Sequence, residues 1–279
     1  DFYLSHFNRK NVTILLYMEY MGVFFMREPR LRTVNKAVPP FEVNKFPVKF
    51  IDTFARNIVY MMATKQAMSL EGNEWERIFA ECVGAIWKPS NVGLDDVVLD
   101  NCCWGAKTVF AQTDIETQAK VRLISGRNSP TYSYGIDKIT SADPNEIGKL
   151  VLEIWNERVS AVRQIYKFVR TVVLVKSKNY QDFLIFEFDT VRYDPELYYF
   201  AWNVRGNLEG YERSSNEHRF TWQPSGSQFT IIEKVPEKRL HINVKKPNLL
   251  EKEEVLKTLK FDKSWYSIVS EKLPMKETK

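Results

Sequence analysis

The sequence contains the run Gly93-Leu-Asp-Asp-Val-Val-Leu-Asp-Asn-Cys-Cys-Trp-Gly-Ala-Lys-Thr-Val109. Within it, Val97 to Leu99 is aliphatic and has the length of a short strand. Asp100 and Asn101 are typical turn residues, and Cys102 to Phe110 has the pattern of a second strand. The run therefore predicts a β-hairpin, and the rest of the fold is expected to be organised around it.

The predicted hairpin carries acidic side chains on one strand and an amine on the other. Asp95 and Asp96 open the first strand, and Lys107 lies near the middle of the second. Carboxylate oxygens bind divalent cations, and a nearby positive charge stabilises a phosphodiester under attack. These residue types in this arrangement make the hairpin a candidate site for metal-assisted phosphodiester hydrolysis.

The hairpin resembles the core of the PD-(D/E)XK nuclease superfamily, which includes many type II restriction endonucleases. The resemblance covers about residues 70–125. In that family an aspartate begins one strand, and an acid-any-lysine triplet lies on the next strand. Asp96, or alternatively Asp95, matches the aspartate, and Lys107 matches the lysine. The chain departs from the pattern at Gly105, which stands at the acidic position of the triplet and offers no ligand atom.

The resemblance implies a Mg²⁺-dependent type II restriction endonuclease that cuts double-stranded DNA at a specific sequence. By this resemblance Asp96 would bind the metal together with the backbone carbonyl of Ala106. Lys107 would orient or activate the attacking water and stabilise the charge that grows on the phosphate. Cleavage of two strands implies a homodimer whose symmetry matches a palindromic site.

Glu76 is the first candidate for the carboxylate that is missing at Gly105. In the family, a glutamate from the helix before the hairpin often joins the metal site. An equally good account is that Glu76 only caps its helix, three residues after Asn73. Asp114 and Glu116 are alternative donors by position alone.

A polar hairpin downstream is a candidate for contacts with DNA. Arg219 to Gln223 and Ser227 to Ile232 alternate like strands around a Pro-Ser-Gly turn. Arginine and glutamine side chains can pair with base edges in the major groove, but an ordinary solvent-facing sheet would have the same pattern. The predicted DNA-binding residues are Arg127, Asn128, Arg219, Gln223, Ser225, Ser227 and Gln228.

The predicted fold class is α/β (α+β), with a central mixed β-sheet flanked by helices and a restriction-endonuclease-like core. Helices are predicted over Phe50–Ser69, from Asn73 onward, from Asp143 to about Phe168, and over Leu249–Leu259. The chain is predicted to be a single nuclease-like domain over 1–279. Its predicted parts are a helical segment at 1–70, a catalytic core at about 70–176 and a β-rich part at about 177–245.

Composition sets the remaining limits. The 279 residues carry a formal charge of +5, which suits a polyanionic partner without requiring one. Three cysteines form no disulfide framework and favour a reducing cytoplasm.

No apolar run reaches the length of a membrane span, and Val12 to Met26 is interpreted as a buried or subunit-contact helix. The sequence contains no glycine-rich phosphate loop, no nicotinamide fingerprint and no histidine in a nucleophile motif.

Two alternatives remain beside the endonuclease hypothesis. Gly105 favours a non-catalytic DNA-binding protein of the same fold. The other alternative is an unrelated α+β protein in which the hairpin is only structural.

Overall fold

A computed structural model describes residues 37–65, 68–89, 93–137 and 139–269. Residues 38–279 form a unit separate from the residues before them, and the description below concerns this unit. The helix predicted over Val12–Met26 lies outside the described residues. The single-domain organisation over 1–279 therefore stays a prediction.

The described residues contain five α-helices and eleven strands. The helices are α1 (Phe50–Thr64), α2 (Gly72–Val83), α3 (Pro130–Tyr134), α4 (Pro144–Arg163) and α5 (Lys252–Thr258). The first six strands are β1 (Ile86–Trp87), β2 (Val97–Leu99), β3 (Cys102–Phe110), β4 (Lys120–Arg127), β5 (Phe168–Lys176) and β6 (Asp182–Asp189). The other strands are β7 (Tyr198–Trp202), β8 (Leu208–Glu212), β9 (His218–Gln223), β10 (Gln228–Lys234) and β11 (Leu240–Asn243).

The strands form two sheets. The first has six strands in the order β1-β2-β3-β5-β6-β11, and the second has five in the order β4-β10-β9-β8-β7. The first sheet is mixed, because β3 runs parallel to β5 from Cys102↔Phe168 to Phe110↔Lys176 while its other pairs are antiparallel. The second sheet is antiparallel throughout. The predicted α/β class with a mixed sheet is confirmed.

Helices α1 and α2 cover one face of the mixed sheet. Apolar residues recur at helical spacing along α1, as Phe50, Phe54 and Ile58, and each of these side chains is fully buried. They join Trp75, Phe79 and Trp104 in one hydrophobic cluster. α1 ends at Thr64, five residues before the predicted end.

Helix α4 packs between the two sheets. It begins as predicted, since Oδ1 of Asp143 accepts a hydrogen bond from the backbone N–H of Asn145 at 2.8 Å, and Pro144 follows the cap. Its buried residues share a hydrophobic cluster with Cys103 of β3 and with Trp222 of β9. This helix therefore holds the second sheet against the hairpin. It ends at Arg163, because the chain has to turn into β5 at Phe168.

A buried ion pair joins β5 to β6. Nη1 of Arg170 lies 3.0 Å from Oε1 of Glu187, and both residues are almost inaccessible to solvent. Oε2 of Glu187 also accepts a hydrogen bond from Nε1 of Trp104 at 2.6 Å, and Oε1 accepts one from the backbone N–H of Asn44 at 3.1 Å. The carboxylate thereby pins the segment before α1 to the centre of the sheet.

The three cysteines are free, as the sequence predicted, and all three are buried. Burial raises the pKa of the Cys82 and Cys102 thiols to about 12 and raises the pKa of Cys103 as well. Within the described ranges, no helix has both the length and the apolar character that crossing a membrane requires.

Candidate functional site

The predicted hairpin is present, and its register decides which side chains share a face. β2 and β3 pair antiparallel, with Val97 opposite Trp104 and Leu99 opposite Cys102. Trp104 faces the cluster under α1 and α2, whereas Cys103 faces the cluster around α4. Because side chains alternate along a strand, Lys107 lies on the face of Cys103, toward α4.

Asp96 and Lys107 lie close enough for their charges to act on each other. Asp96 is buried directly before β2, and its Oδ2 accepts a hydrogen bond from the backbone N–H of Ala106 at 3.3 Å. Lys107 is half-buried, and its Nζ donates to the backbone oxygen of Gly93 at 3.3 Å. The structure therefore brings together the carboxylate and the amine that the sequence singled out.

Burial controls the protonation of this pair. The pKa of Asp96 is raised to about 6, mainly because burial disfavours the charged carboxylate, while the Lys107 ammonium opposes this shift. Burial also lowers the pKa of Lys107, and Asp96 opposes that change. Asp96 thus titrates close to neutral pH, where a small change in its surroundings alters its charge.

Glu76 also acts on this pair. Its carboxylate raises the pKa of Asp96, and its Oε2 accepts a hydrogen bond from Nε1 of Trp87 at 3.0 Å. The suggested capping role is wrong, because α2 begins at Gly72, with Glu71 rather than Asn73 as its cap. The reciprocal capping contact is made by Glu74, whose Oε2 accepts from the backbone N–H of Glu71 at 2.9 Å.

Gly105 is a glycine for a steric reason. A Cβ atom there would lie 2.8 Å from the backbone oxygen of Gly93 and 3.2 Å from Cα of Leu94. These are backbone atoms, so they cannot move aside as the end of a flexible side chain would. The loop before β2 crosses directly over the position where the family pattern has its acid, and an acidic side chain is excluded there unless that loop moves.

Asp95 is a second buried carboxylate beside the first. Its Oδ2 lies 3.5 Å from Nζ of Lys88. Its Oδ1 is buried and makes no hydrogen bond within the described part of the chain. A buried carboxylate oxygen without a partner is energetically costly, so this oxygen is available to a cation or a proton donor.

The other suggested acids have local roles at the far end of β3. Oδ1 of Asp114 accepts from the backbone N–H of Glu116 at 2.9 Å and so closes a turn. Glu116 lies 3.8 Å from Nδ1 of His241.

Asp96, Glu76 and the carbonyl of Ala106 are the possible metal donors at this site. No group of three or more His, Cys, Asp or Glu residues that could hold a metal occurs in the ranges that the structure describes. Asp96 and Glu76 offer two carboxylates, and the N–H and C=O of Ala106 point to the same strand edge, toward Asp96. Mg²⁺ commonly takes one or two protein carboxylates and fills its other positions with water and phosphate oxygens.

Arg158 of α4 is a neighbour of the site that sequence reasoning missed. Its charge contributes to the lowered pKa of Lys107. Its Nη1 donates to the backbone oxygen of Ser125 at 2.7 Å and to Oδ1 of Asn128 at 3.2 Å. Its guanidinium lies directly over Gly126, where a Cβ would come within 2.4 Å. No feature of the sequence marks this long-range contact.

Asn128 is not available for contact with DNA. It is fully buried, and its Nδ2 donates to the backbone oxygen of Val151 at 2.9 Å. Its backbone N–H donates to the backbone oxygen of Ser227 at 2.8 Å. Its backbone oxygen accepts a hydrogen bond from Nε1 of Trp222 at 2.7 Å. The DNA-binding assignment is corrected here: Asn128 joins β4, α4 and the β9–β10 hairpin.

Arg219 does not share one face of the hairpin with Thr221 and Gln223, although the alternation predicts that it does. The register of β9 against β8 shifts at this point, which leaves Arg219 outside the pairing. Its Nη2 lies 3.2 Å from Oε2 of Glu233, and the side chain is largely covered. The bulge re-aims the side chain, so the expected alternation fails at this residue.

The remaining predicted DNA contacts lie together at one end of the second sheet. Gln228 pairs with Gln223 on one side and with Arg127 on the other. Arg127 and Ser225 are exposed, and Ser227 is half-buried with a positive φ of 53°. We call Arg127, Gln223, Ser225, Ser227 and Gln228 the polar tip. Asn128 contacts the tip at Ser227 and accepts a hydrogen bond from Arg158, which lies close enough to Lys107 to lower its pKa.

Gly105→Ala is expected to destabilise the fold by about 1–3 kcal/mol, because the new methyl group meets fixed backbone. Urea unfolding would measure the free energy of unfolding. Gly72→Ala is the matched control, since a Cβ there has no neighbour within 4 Å. Equal stability of the two variants would contradict the close passage of the loop.

The stability of the wild type is expected to fall as the pH rises toward the pKa of Asp96, and Asp96→Asn is expected to abolish this fall. The folded pKa of about 6 lies above the unfolded value of about 3.9, so the unfolded chain loses this proton first. The stabilising contribution is complete below pH ~4 and is lost as the pH rises to about 6, by on the order of 3 kcal/mol.

Urea unfolding of both proteins across this pH range would measure the difference. Asp52→Asn on the exposed side of α1 is the control. If the difference between Asp96→Asn and wild type stays constant over that range, the carboxyl is not buried as described.

Comparison of the chain with protein families, curated proteins and solved structures finds no match. The resemblance to PD-(D/E)XK nucleases therefore stays a prediction. Function has to be argued from the site itself.

Proposed function

We propose that this protein is a Mg²⁺-dependent type II restriction endonuclease that hydrolyses phosphodiester bonds at a specific sequence in double-stranded DNA. The observation that carries the proposal is the proximity of Asp96, directly before β2, to Lys107 on β3, with Glu76 close enough to act on the charge of Asp96. The preceding helix and the two strands also follow the order that the resemblance implies.

The donor groups for the metal would be Asp96, Glu76 and the carbonyl of Ala106. When bound there, Mg²⁺ supplies charge neutralisation and activation of water. Asp96 can hold such a ligand because its carboxylate already accepts the Ala106 N–H, which fixes its orientation. A cation would also favour the ionised form of Asp96, whose pKa burial raises.

Lys107 would hold and orient the attacking water and stabilise the negative charge on the phosphate. Its Nζ is fixed by the hydrogen bond to Gly93, and its half-buried position strengthens its electrostatic effect relative to bulk water. Its lowered pKa makes proton exchange with a water molecule easier than for an ordinary lysine.

The polar tip of the second sheet would contact the DNA. Arg127 is exposed and suits a phosphate, while Gln223 and Gln228 suit base edges. Arg158 donates a hydrogen bond to the backbone of Ser125, near this tip, and its charge acts on Lys107. Binding of the duplex at the tip would thus place it near the cleavage site.

Cleavage of both strands would require two sites. A homodimer with two-fold symmetry supplies them and matches a palindromic DNA sequence. We place the protein in the cytoplasm, where such DNA is accessible and where free thiols stay reduced.

A non-catalytic DNA-binding protein of the same fold is the second candidate. The steric exclusion of an acid at Gly105 favours it, because the acid of the family triplet is then missing. In that case the protein would bind duplex DNA and leave it intact.

Lys107→Ala and Asp96→Ala are each expected to reduce Mg²⁺-dependent plasmid cleavage by about 10²-fold or more, because each removes a charge at the reacting phosphate. Gel analysis of plasmid nicking and linearisation measures the rate, and circular dichroism checks the fold. Lys45→Ala is the control, because Lys45 pairs with Glu42 on the surface.

Wild-type rates in either site variant would refute the assignment of the site. Duplex binding by the wild type without any nicking in Mg²⁺ would favour the second candidate.

Arg127→Ala is expected to weaken duplex binding and to reduce the slope of log K against log salt by about 0.9, the value of one phosphate contact. Fluorescence anisotropy at several salt concentrations measures the slope. Arg213→Ala is the matched control, because Arg213 is exposed in the β8–β9 turn at the opposite end of the sheet. Equal slopes in the two variants would remove the polar tip from the DNA interface.

A further inference from the structure

The last segment that the structure describes contributes nothing to the core. Val244 is buried beside the mixed sheet, but no residue from Lys245 to Val269 is buried. We call residues 245–269 the C-terminal arm. Its helix α5 spans seven residues and buries none of them, which is shorter than a helix needs to be stable alone in water. The predicted helix over Leu249–Leu259 is present in this shortened form.

The C-terminal arm is rich in exposed large apolar side chains. Trp265 is 57% exposed, Tyr266 61% and Ile268 68%, and six further apolar side chains of the arm are exposed as well. The aromatic rings contact each other, with 5.7 Å between the centroids of Phe261 and Trp265. Exposed apolar side chains at this density mark a surface that associates with something else.

A cleft with a mixed lining lies between α1 and α2. Its volume is about 530 Å³, and its lining combines apolar side chains such as Tyr60 and Trp87 with charged ones such as Arg77 and Glu81. Tyr60 in this cleft is 68% exposed, and the neighbouring Ile86 is 72% exposed. We call this feature the α1–α2 cleft.

The C-terminal arm leaves the body of the protein at the rim of the α1–α2 cleft. The backbone N–H of Leu250 donates to the backbone oxygen of Ala63 at 2.8 Å, in the last turn of α1. Beyond that contact the arm stays exposed, and it leaves Tyr60 of the same chain exposed as well. One chain therefore presents both an arm with exposed apolar side chains and a cleft with an exposed aromatic ring at Tyr60.

We propose that the C-terminal arm of one copy packs into the α1–α2 cleft of a second copy, and that the exchange is reciprocal about a two-fold axis. A short amphipathic helix in an apolar groove is a common mode of recognition, and a two-fold exchange satisfies both surfaces of both chains.

The exposed area is large enough for such a dimer. The three aromatic side chains of the arm alone leave on the order of 300 Å² uncovered. With the aliphatic side chains, and with two arms and two clefts, the contact reaches the scale of roughly 1,600 Å² that stable interfaces bury.

This dimer would supply the second subunit that the proposed two-strand cleavage needs, and in that respect the inference rests on the proposed function. Its test uses mass and cross-linking only. A dimer without nuclease activity would refute the proposed function and leave the arm exchange intact.

The first measurement is the mass of the full chain in solution by sedimentation equilibrium at micromolar concentrations. The wild type is expected to be a dimer. Phe261→Ser/Trp265→Ser in the arm and Tyr60→Glu in the cleft are each expected to raise the dimer dissociation constant about 30-fold or more, as truncation of buried anchors does. Tyr132→Ser is the control, because Tyr132 is 92% exposed and lies outside both surfaces.

The second measurement identifies which chain receives the arm. A photo-crosslinking amino acid replaces Trp265, and heavy-nitrogen-labelled protein is mixed with unlabelled protein before irradiation. Mass spectrometry is expected to find cross-links from the arm to α1 or α2 that join one labelled and one unlabelled chain. A monomeric wild type, a dimer that the arm and cleft variants leave intact, or cross-links confined to single chains would each overturn the proposal.

Discussion

The structure depends on the double burial of β3. This strand pairs with β2 on one edge and runs parallel to β5 on the other, and its two faces belong to two different hydrophobic clusters. A strand enclosed in this way has no freedom in register, because a shift by one residue would exchange its faces. The position of Lys107 opposite α4, and its approach to Asp96, follow directly from this enclosure.

Much of this framework could be predicted from local sequence patterns. The run from Val97 to Phe110 carries its turn and its two strands in composition alone, and these strands are confirmed. The cap at Asp143 and the polar turn between β9 and β10 were also recognisable, because each uses side chains that only local geometry requires. The convergence of a carboxylate with an amine was an expectation from residue types, and the register of the hairpin puts Asp96 and Lys107 on the same face of the sheet.

Long-range packing decided the features that local patterns could not show. Asn128 has a composition typical of a surface loop, yet α4 and β9 enclose it completely. Arg219 alternates correctly in sequence, but a bulge turns it toward Glu233. By the family pattern Gly105 replaces an acid, and only the path of the loop before β2 shows that a glycine is needed there. In each case the residue that decides the outcome is at least ten positions away along the chain.

The burial of the three thiols has a practical consequence for work on this protein. A thiol reacts through its thiolate form, and the packing around Cys82, Cys102 and Cys103 suppresses that form and shields the sulfur atoms. Maleimide dyes would leave the native protein unlabelled and would modify it only as it opens. A single engineered surface cysteine would then carry a fluorophore selectively, without prior replacement of the native ones.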